Sequence, residues 1–450
     1  MEPHHLEAPA PIRTGHAVVI GAGMAGLAVA QALTAGFDRV TVVDRDRLPT
    51  ESETRRGVPQ SRHLHLLLPA GIDALEALFP GLEHQLRADG AKTGDVARIR
   101  MCLNGHRLAA GRTGRRAVFC SRPFLESHVR RRVRDEPSIA VRDGVRISGL
   151  AVANDGGRVE GVELARPNGE DREVLRSEVV VDCSGRRSPV PGWLADLGYR
   201  TADVDELDVQ VRYATRRYEL SAGVLDGDHH LLVGPTPDGP RGGAMTHVED
   251  DSWIVTLFAM AGEPAPAHGD DFEPFAASLP IRDVHDALRA GRAIDDPAPY
   301  RFPANRRHRY EHLMDLPSGL LAAGDAVCSF NPIYGQGMTV AAIEARILQH
   351  RLRSGELPSA RTWFGDTAEV IDVAWQLATG SDLAVESVDG RRPLTVRMLN
   401  RYLDRLQAAA VEDPRLTERL VRVLGMVDPP SSLLRPTTLA PVLLRTGRSG

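Results

Sequence analysis

The chain has 450 residues, 42% of them hydrophobic, enough to bury a sizeable core in two or three structural units. A net charge of −5 gives no reason to expect a nucleic-acid partner, and the densest basic run, Arg130 to Arg134, reads as a solvated helix face. Four scattered cysteines without a CxxC pair argue against a zinc site or a disulfide framework, and with Lys92 the only lysine, most Schiff-base chemistry lacks its nucleophile. Residues 1–15 hold no apolar stretch suited to a signal peptide, and no run of membrane length is uninterrupted. A cytoplasmic location without stable membrane insertion is expected.

Residues 16–46 read as a nucleotide cradle. An apolar strand over 17–20 runs into Gly21-Ala22-Gly23-Met24-Ala25-Gly26, a helix continues to about Leu33, and a second buried strand over 39–43 ends at Asp44. Gly21 permits the tight turn, Gly23 lets the backbone approach a pyrophosphate, and Gly26 lets the helix lie close on the strand. The free N–H groups of the helix start then face the phosphates. Asp44, eighteen residues past Gly26, suits a ribose and would repel a 2′-phosphate, which favours FAD or NAD over NADP.

Residues 69–78 carry apolar side chains at helical spacing and stop before Pro80-Gly81. His63 and His65 share a face if their segment is extended, but no third ligand lies nearby, so no metal is expected. Short strands over 93–118 turn at Asn104-Gly105, and Ser121 caps a helix that has Arg122 at its mouth. That arginine can pair at the surface or reach a phosphate. A strand-rich stretch from 139 to 181 then returns the chain to the nucleotide fold, where a buried strand over 178–182 leads into the glycine turn at Gly185.

Residues 203–260 alternate like half-exposed antiparallel strands, the pattern of a second sheet that offers one face to a pocket; Trp253 and Phe258 are candidate lining residues. The second decisive segment spans 320–344. A strand ends at Gly324-Asp325, a loop holds Asn331, Pro332 and Tyr334, and Gly335-Gln336-Gly337-Met338 opens a helix. Asp325 is placed to accept from ribityl hydroxyls, and the helix start to set N–H groups and a positive dipole end beside flavin N1 and O2. From Trp363 on, helices are expected, broken at Gly380, Gly390 and Pro429-Pro430 and covering the substrate pocket.

GAGMAG at 21–26, RRGVPQSRHLH at 55–65, CSRPFLE at 120–126, VVDCSGRRSP at 180–189 and GDAVCSFNPIYGQGM at 324–338 together resemble the single-component FAD-dependent monooxygenases of the para-hydroxybenzoate hydroxylase superfamily. The likeness leans toward the epoxidase-like branch of bacterial natural-product biosynthesis. It implies an α/β fold with a Rossmann-like FAD-binding domain at 15–92, 119–200 and 305–355. An inserted antiparallel substrate domain would take 93–118 and 201–304, and a helical region 356–450.

Carried over to this chain, Gly21, Gly23, Met24, Ala25 and Gly26 would cradle the pyrophosphate. Asp44 would serve the adenosine ribose and Arg122 the cofactor chain, with Arg45, Arg56, Val145 and Gly185 as further cofactor-binding residues. Asp325, Pro332, Gly335, Gly337 and Met338 would hold the ribityl and ring. The implied reaction is reduction of FAD by NAD(P)H, capture of O2 as a flavin C4a-hydroperoxide, and transfer of one oxygen to a hydrophobic alkene or electron-rich ring. Where aromatic hydroxylases of this resemblance carry Asp-Gly, the chain has Ser184-Gly185, a departure that bears on NAD(P)H use. An alkene demands no base; His63, His65 and Tyr334 are the candidates if one acts. Two other readings stay open, a redox-silent [4+2] cyclase that keeps FAD structurally and a flavin-dependent reductase of isoprenoid double bonds. A monomer or homodimer is expected.

Overall fold

The computed structural model describes residues 15–55, 57–165, 173–221 and 223–445. Its first layer is a five-stranded parallel sheet in the order Leu320–Ala322, Val179–Asp182, His16–Ile20, Arg39–Val43, Ile139–Arg142. The central runs HAVVI and VVVD are buried along their whole length, as strands covered on both faces must be. The Met24–Leu33 helix packs side by side with the long Gln336–Arg353 helix, so segments three hundred residues apart meet on one face of this sheet.

The second layer is a nine-stranded sheet centred on the long strand Val204–Glu219, flanked by Ala298–His308 and Trp253–Ala259. Alternation assigns its faces. Val211, Tyr213 and Phe258 join Phe302, Val385 and Val388 on one side. Ala214, Trp253, Val255 and Leu257 pack on the other against the helices Phe272–Ala277 and Asp283–Arg289. Phe258 therefore lies on the face toward the parallel-sheet layer, whereas Trp253 is buried on the opposite face, stacked by His247. One junction departs from the antiparallel expectation, since His230–Val233 pairs parallel with Arg100–Leu103.

Two further expectations need correction. Gly380 does not break its helix: Ala360–Asp382 runs through it, because one glycine costs about 1 kcal/mol against many propagating hydrogen bonds. Nor do the C-terminal helices chiefly roof the Tyr213 face. Leu394–Ala410 and Pro414–Leu424 pack on Val96, Ile99, Met101, Ala117 and Phe119, and it is the turn after Asp382 that sends Val385 and Val388 to that face. No helix among the described residues is long and apolar enough to cross a membrane.

Candidate active site

The first helix mouth is closed from behind and open in front. Gly21 sits at φ +97° with its N–H donated to the Val43 carbonyl, and a Cβ on Gly26 would fall 1.8 Å from the Gly21 carbonyl oxygen. Gly23, in contrast, has nothing nearer than the tip of Arg55 at 4.0 Å, so the space above it is free. Asp44 is buried beneath this turn and accepts from the N–H of Ala22 at 2.6 Å and of Asp46 at 2.8 Å. Val145 donates its N–H to the Asp44 carbonyl, which places it at the same edge, while Arg45 points to solvent. Arg56 lies outside the described residues.

Arg55, next to it, carries the connection onward. Its guanidinium donates to the Ala22 carbonyl at 2.8 Å, pairs with Asp44 and Asp46, and reaches Glu126 at 3.1 Å. Glu126, itself buried, also takes Arg122 at 3.2 Å and Arg130 at 3.7 Å. Arg122 leads a helix capped by Ser121, whose hydroxyl accepts from the Phe124 N–H, and its charge in turn acts on Asp325. Hydrogen bonds and ion pairs run from Ala22 through Arg55 and Glu126 to Arg122, and the charge of Arg122 is felt at Asp325.

Asp325 belongs to the second mouth. Gly324, at φ +65°, is pressed so close to the first helix that a Cβ would meet that of Ala25 at 2.8 Å, and its N–H is donated to buried Glu344. Burial raises the Glu344 carboxyl to about 8. The Asp325 side chain stands open, with its Oδ1 3.5 Å from where a Cβ on Gly337 would be. Enclosure raises its pKa, and the guanidiniums of Arg122 and Arg186 act against that rise. Gly335 at φ +66° turns the Pro332–Tyr334 loop into the helix, whose first residue, Gln336, buries an Oε1 that has no hydrogen-bond partner.

Facing these mouths is the Tyr213 side of the large sheet. His63 is buried against it, its Nδ1 2.8 Å from Thr215 Oγ1 and its ring edge-on to Tyr213 and Tyr300. Burial pushes its pKa down to about 4, with help from Arg62, so the ring is neutral near pH 7. His65, whose Nδ1 contacts the His63 carbonyl, is lowered to about 3 by burial and by Arg122. Burial also pushes up the phenols of Tyr213, Tyr300 and Tyr334. Tyr334 donates its hydroxyl to Asp382. Arg186, on the Gly185 turn, crosses to this side, donating to the Ala304 carbonyl and lying over the Phe302 ring.

The family model described as FAD binding domain matches residues 15–379. The chain belongs to this FAD-binding family. It is 33% identical over 429 residues to Protein Rv3254 of Mycobacterium tuberculosis (strain ATCC 25618 / H37Rv), an alignment that spans 92% of this chain and 90% of that protein. Among solved structures it is similar to p-nitrophenol 4-monooxygenase PnpA from Pseudomonas putida DLL-E4, with a TM-score of 0.64 and 15% identity over 92% of this chain and 98% of that one. It is also similar to the Diels-Alderase PyrE3 of pyrroindomycin biosynthesis, with a TM-score of 0.59 and 18% identity over 92% and 81%. The fold is that of the para-hydroxybenzoate hydroxylase superfamily.

The residues of this family member fit FAD. Gly23, Gly185 and Gly337 leave room in front of the backbone, while Gly21 and Gly26 are closed inward, the division a backbone cradle requires. Bound FAD would be a group able to carry electrons; the chain would offer backbone N–H groups at both mouths, the charges of Arg122, Arg186 and Asp325 at the second, and an apolar sheet face opposite. The structure thus gathers Gly21, Gly23, Met24, Ala25, Gly26, Asp44, Val145 and Arg122 on one side and Asp325, Pro332, Gly335, Gly337 and Met338 on the other. Arg55, Glu126, Arg186 and Asp382 were missed. Arg55 stood in an Arg-Arg doublet with no local pattern that assigns it a partner, and Glu126 was visible only as an i,i+4 partner of Arg122.

Proposed function

We propose that this protein is an FAD-dependent monooxygenase that adds one oxygen atom from O2 to an uncharged, apolar natural-product intermediate, by alkene epoxidation or ring hydroxylation, with NAD(P)H as reductant. One observation carries the reading. The sheet face opposite the Gly335-Gln336-Gly337 mouth is built of Val211, Tyr213, Phe258, Phe302, Val385 and Val388, and His63 beside it is held neutral. These side chains are buried against one another, so they give the neighbourhood of the mouth an apolar wall, and burial makes the neutral His63 ring a weak base. An alkene needs no base; a phenol would gain from one.

In this reading Gly23 and the N–H groups after it hold the pyrophosphate, Asp44 the adenosine ribose, Arg55 and Arg122 the chain, and Asp325 with Gly337 and Met338 the ribityl and ring. Segments 15–92, 119–200 and 305–355 form the cofactor unit, 93–118 and 201–304 the substrate unit, and 356–450 a helical region. Arg186, between Phe302 and Asp325, is the cation placed to steady negative charge near the ring. Positioning and exclusion of water do the remaining work.

The same neutral face would serve a [4+2] cyclisation, and the likeness to PyrE3 keeps that as the second reading. Isotopically heavy O2 separates them. Oxygenation predicts product one heavy oxygen atom heavier, with NAD(P)H consumed; product of unchanged mass, formed equally fast without O2 or reductant, would refute it in favour of cyclisation. A gain of two hydrogens would instead mean double-bond reduction.

A further inference from the structure

The long helix Ala360–Asp382 ends on a buried carboxylate for which nothing above has given a use. Asp382 has no exposed surface, and its partners are neutral donors: Asn305 Nδ2 at 2.6 Å to one oxygen, Asn331 Nδ2 at 2.7 Å and the Tyr334 hydroxyl at 2.8 Å to the other. The same two asparagines lock each other, since Asn305 Oδ1 accepts the Asn331 N–H at 2.6 Å, and Asn331 Oδ1 accepts from Ile333. A buried carboxylate without a cation is costly, and three convergent donors are what make it tolerable. All of that hydrogen bonding is spent on one object, the loop Asn331 to Gly335 that sets the left-handed Gly335 and with it the start of the Gln336–Arg353 helix.

We propose that Asp382 is a positioning residue which, in its ionised form, clamps the Asn331–Gly335 loop in the conformation that receives the flavin end of FAD, so that protonation of this one carboxylate loosens cofactor binding. The inference rests on FAD binding in the cleft described above, not on which reaction follows. A proton on Oδ1 competes with Asn331 Nδ2, which can only donate, while the Tyr334 hydroxyl can rotate to accept; a proton on Oδ2 competes with Asn305 Nδ2 in the same way, so protonation weakens the asparagine contacts that hold the loop. Burial raises this carboxyl to about 6, and the three hydrogen bonds oppose the rise, which puts the change within a measurable range.

Other charged groups on the packed elements are engaged elsewhere. Arg307 is paired with Asp372 and Glu311, Arg306 with Glu206, and Arg392 with the carbonyls of Leu383, Val385 and Val388. His63 and His65 are lowered to about 4 and about 3, and Glu344 is raised to about 8, so none has its midpoint between pH 5 and 7.

The test is the dissociation constant of FAD from the full-length protein, read by fluorescence titration from pH 5 to 7. Binding competence confined to the ionised form predicts a Kd about tenfold weaker at pH 5 than at pH 7. Asp382→Asn removes the titration, so its Kd is expected to be flat over that range. Tyr334→Phe deletes one donor to the ionised form and is expected to move the midpoint to higher pH, which keeps the idea testable even if Asp382→Asn does not fold. A tenfold pH dependence that persists in Asp382→Asn, or a Tyr334→Phe midpoint equal to that of the natural protein, would overturn the proposal.

Discussion

Glu126 is the residue on which the adenosine side balances. It faces Arg55, Arg122 and Arg130 in a space nearly closed to water, so removing its charge strands three guanidiniums. Glu126→Gln is expected to destabilise the FAD-free protein by about 3 kcal/mol. Saturating FAD should restore part of that loss, because its pyrophosphate brings negative charge back beside Arg55 and Arg122. Thermal unfolding with and without FAD checks this, and a variant as stable as the natural protein in both would contradict it. At the second mouth, Glu344→Gln keeps an acceptor for the Gly324 N–H but cannot ionise. At this scale the sequence was informative where spacing constrains a role: Asp44 at the end of its strand and Gly337 at a helix start both lie where the cradle logic put them. It was silent where a partner comes from afar, as Glu126 does for Arg55. Nothing near Asp382 in the chain announces Asn305 or Tyr334.

Among the elements, the Ala360–Asp382 helix gives the simplest forecast. Gly380 sits inside it with open space around the position of a Cβ, so Gly380→Ala should raise stability by roughly 0.5–1 kcal/mol through the unfolded chain. Denaturant titration decides the matter, and a destabilised variant would mean that the glycine serves a purpose the packing does not reveal. The helix was misread because glycine is a statistical breaker, whereas Ser359 at the start and tertiary contacts through Trp363, Phe364 and Ile371 keep the element whole. The Trp253 reading failed for a different reason. Trp253 and Phe258 lie five positions apart in one strand, and a period of two sends them to opposite faces. Alternation therefore contained the answer, and aromatic character distracted from it.

Across the whole molecule, buried titratable groups predict how stability varies with pH. His63 and His230 are both lowered by burial to about 4 from an ordinary 6.5, so the unfolded chain takes up protons before the folded one does. Their contribution is complete above about pH 6.5 and is lost as pH falls toward 4. Glu344 runs the other way. Its raised pKa means that folding favours the protonated form, so stability is highest in acid and erodes from about pH 4.5 up to about 8. Together these place the unfolding temperature maximum near pH 6.5, and Glu344→Gln should flatten the alkaline side and steepen the rise between about pH 4.5 and 6.5. A maximum well above pH 8 would contradict the burial of these groups.

The parallel layer was readable from its apolar runs and glycine turns. What the chain alone did not disclose was that the first helix and the turn after Leu320–Ala322, three hundred residues apart, lie so close that Gly324 presses on Ala25, because that depends on strand order and not on any local pattern. That contact carries the central claim, that two helix mouths hold the two ends of one cofactor. A crystal structure of the FAD complex tests it most directly. The account predicts the pyrophosphate over Gly23 and the N–H groups of the first helix, with the flavin ring edge within hydrogen-bond distance of the backbone at Gly337 and Met338. A flavin ring lodged away from Asp325, with the Gln336–Arg353 helix mouth left untouched, would contradict it.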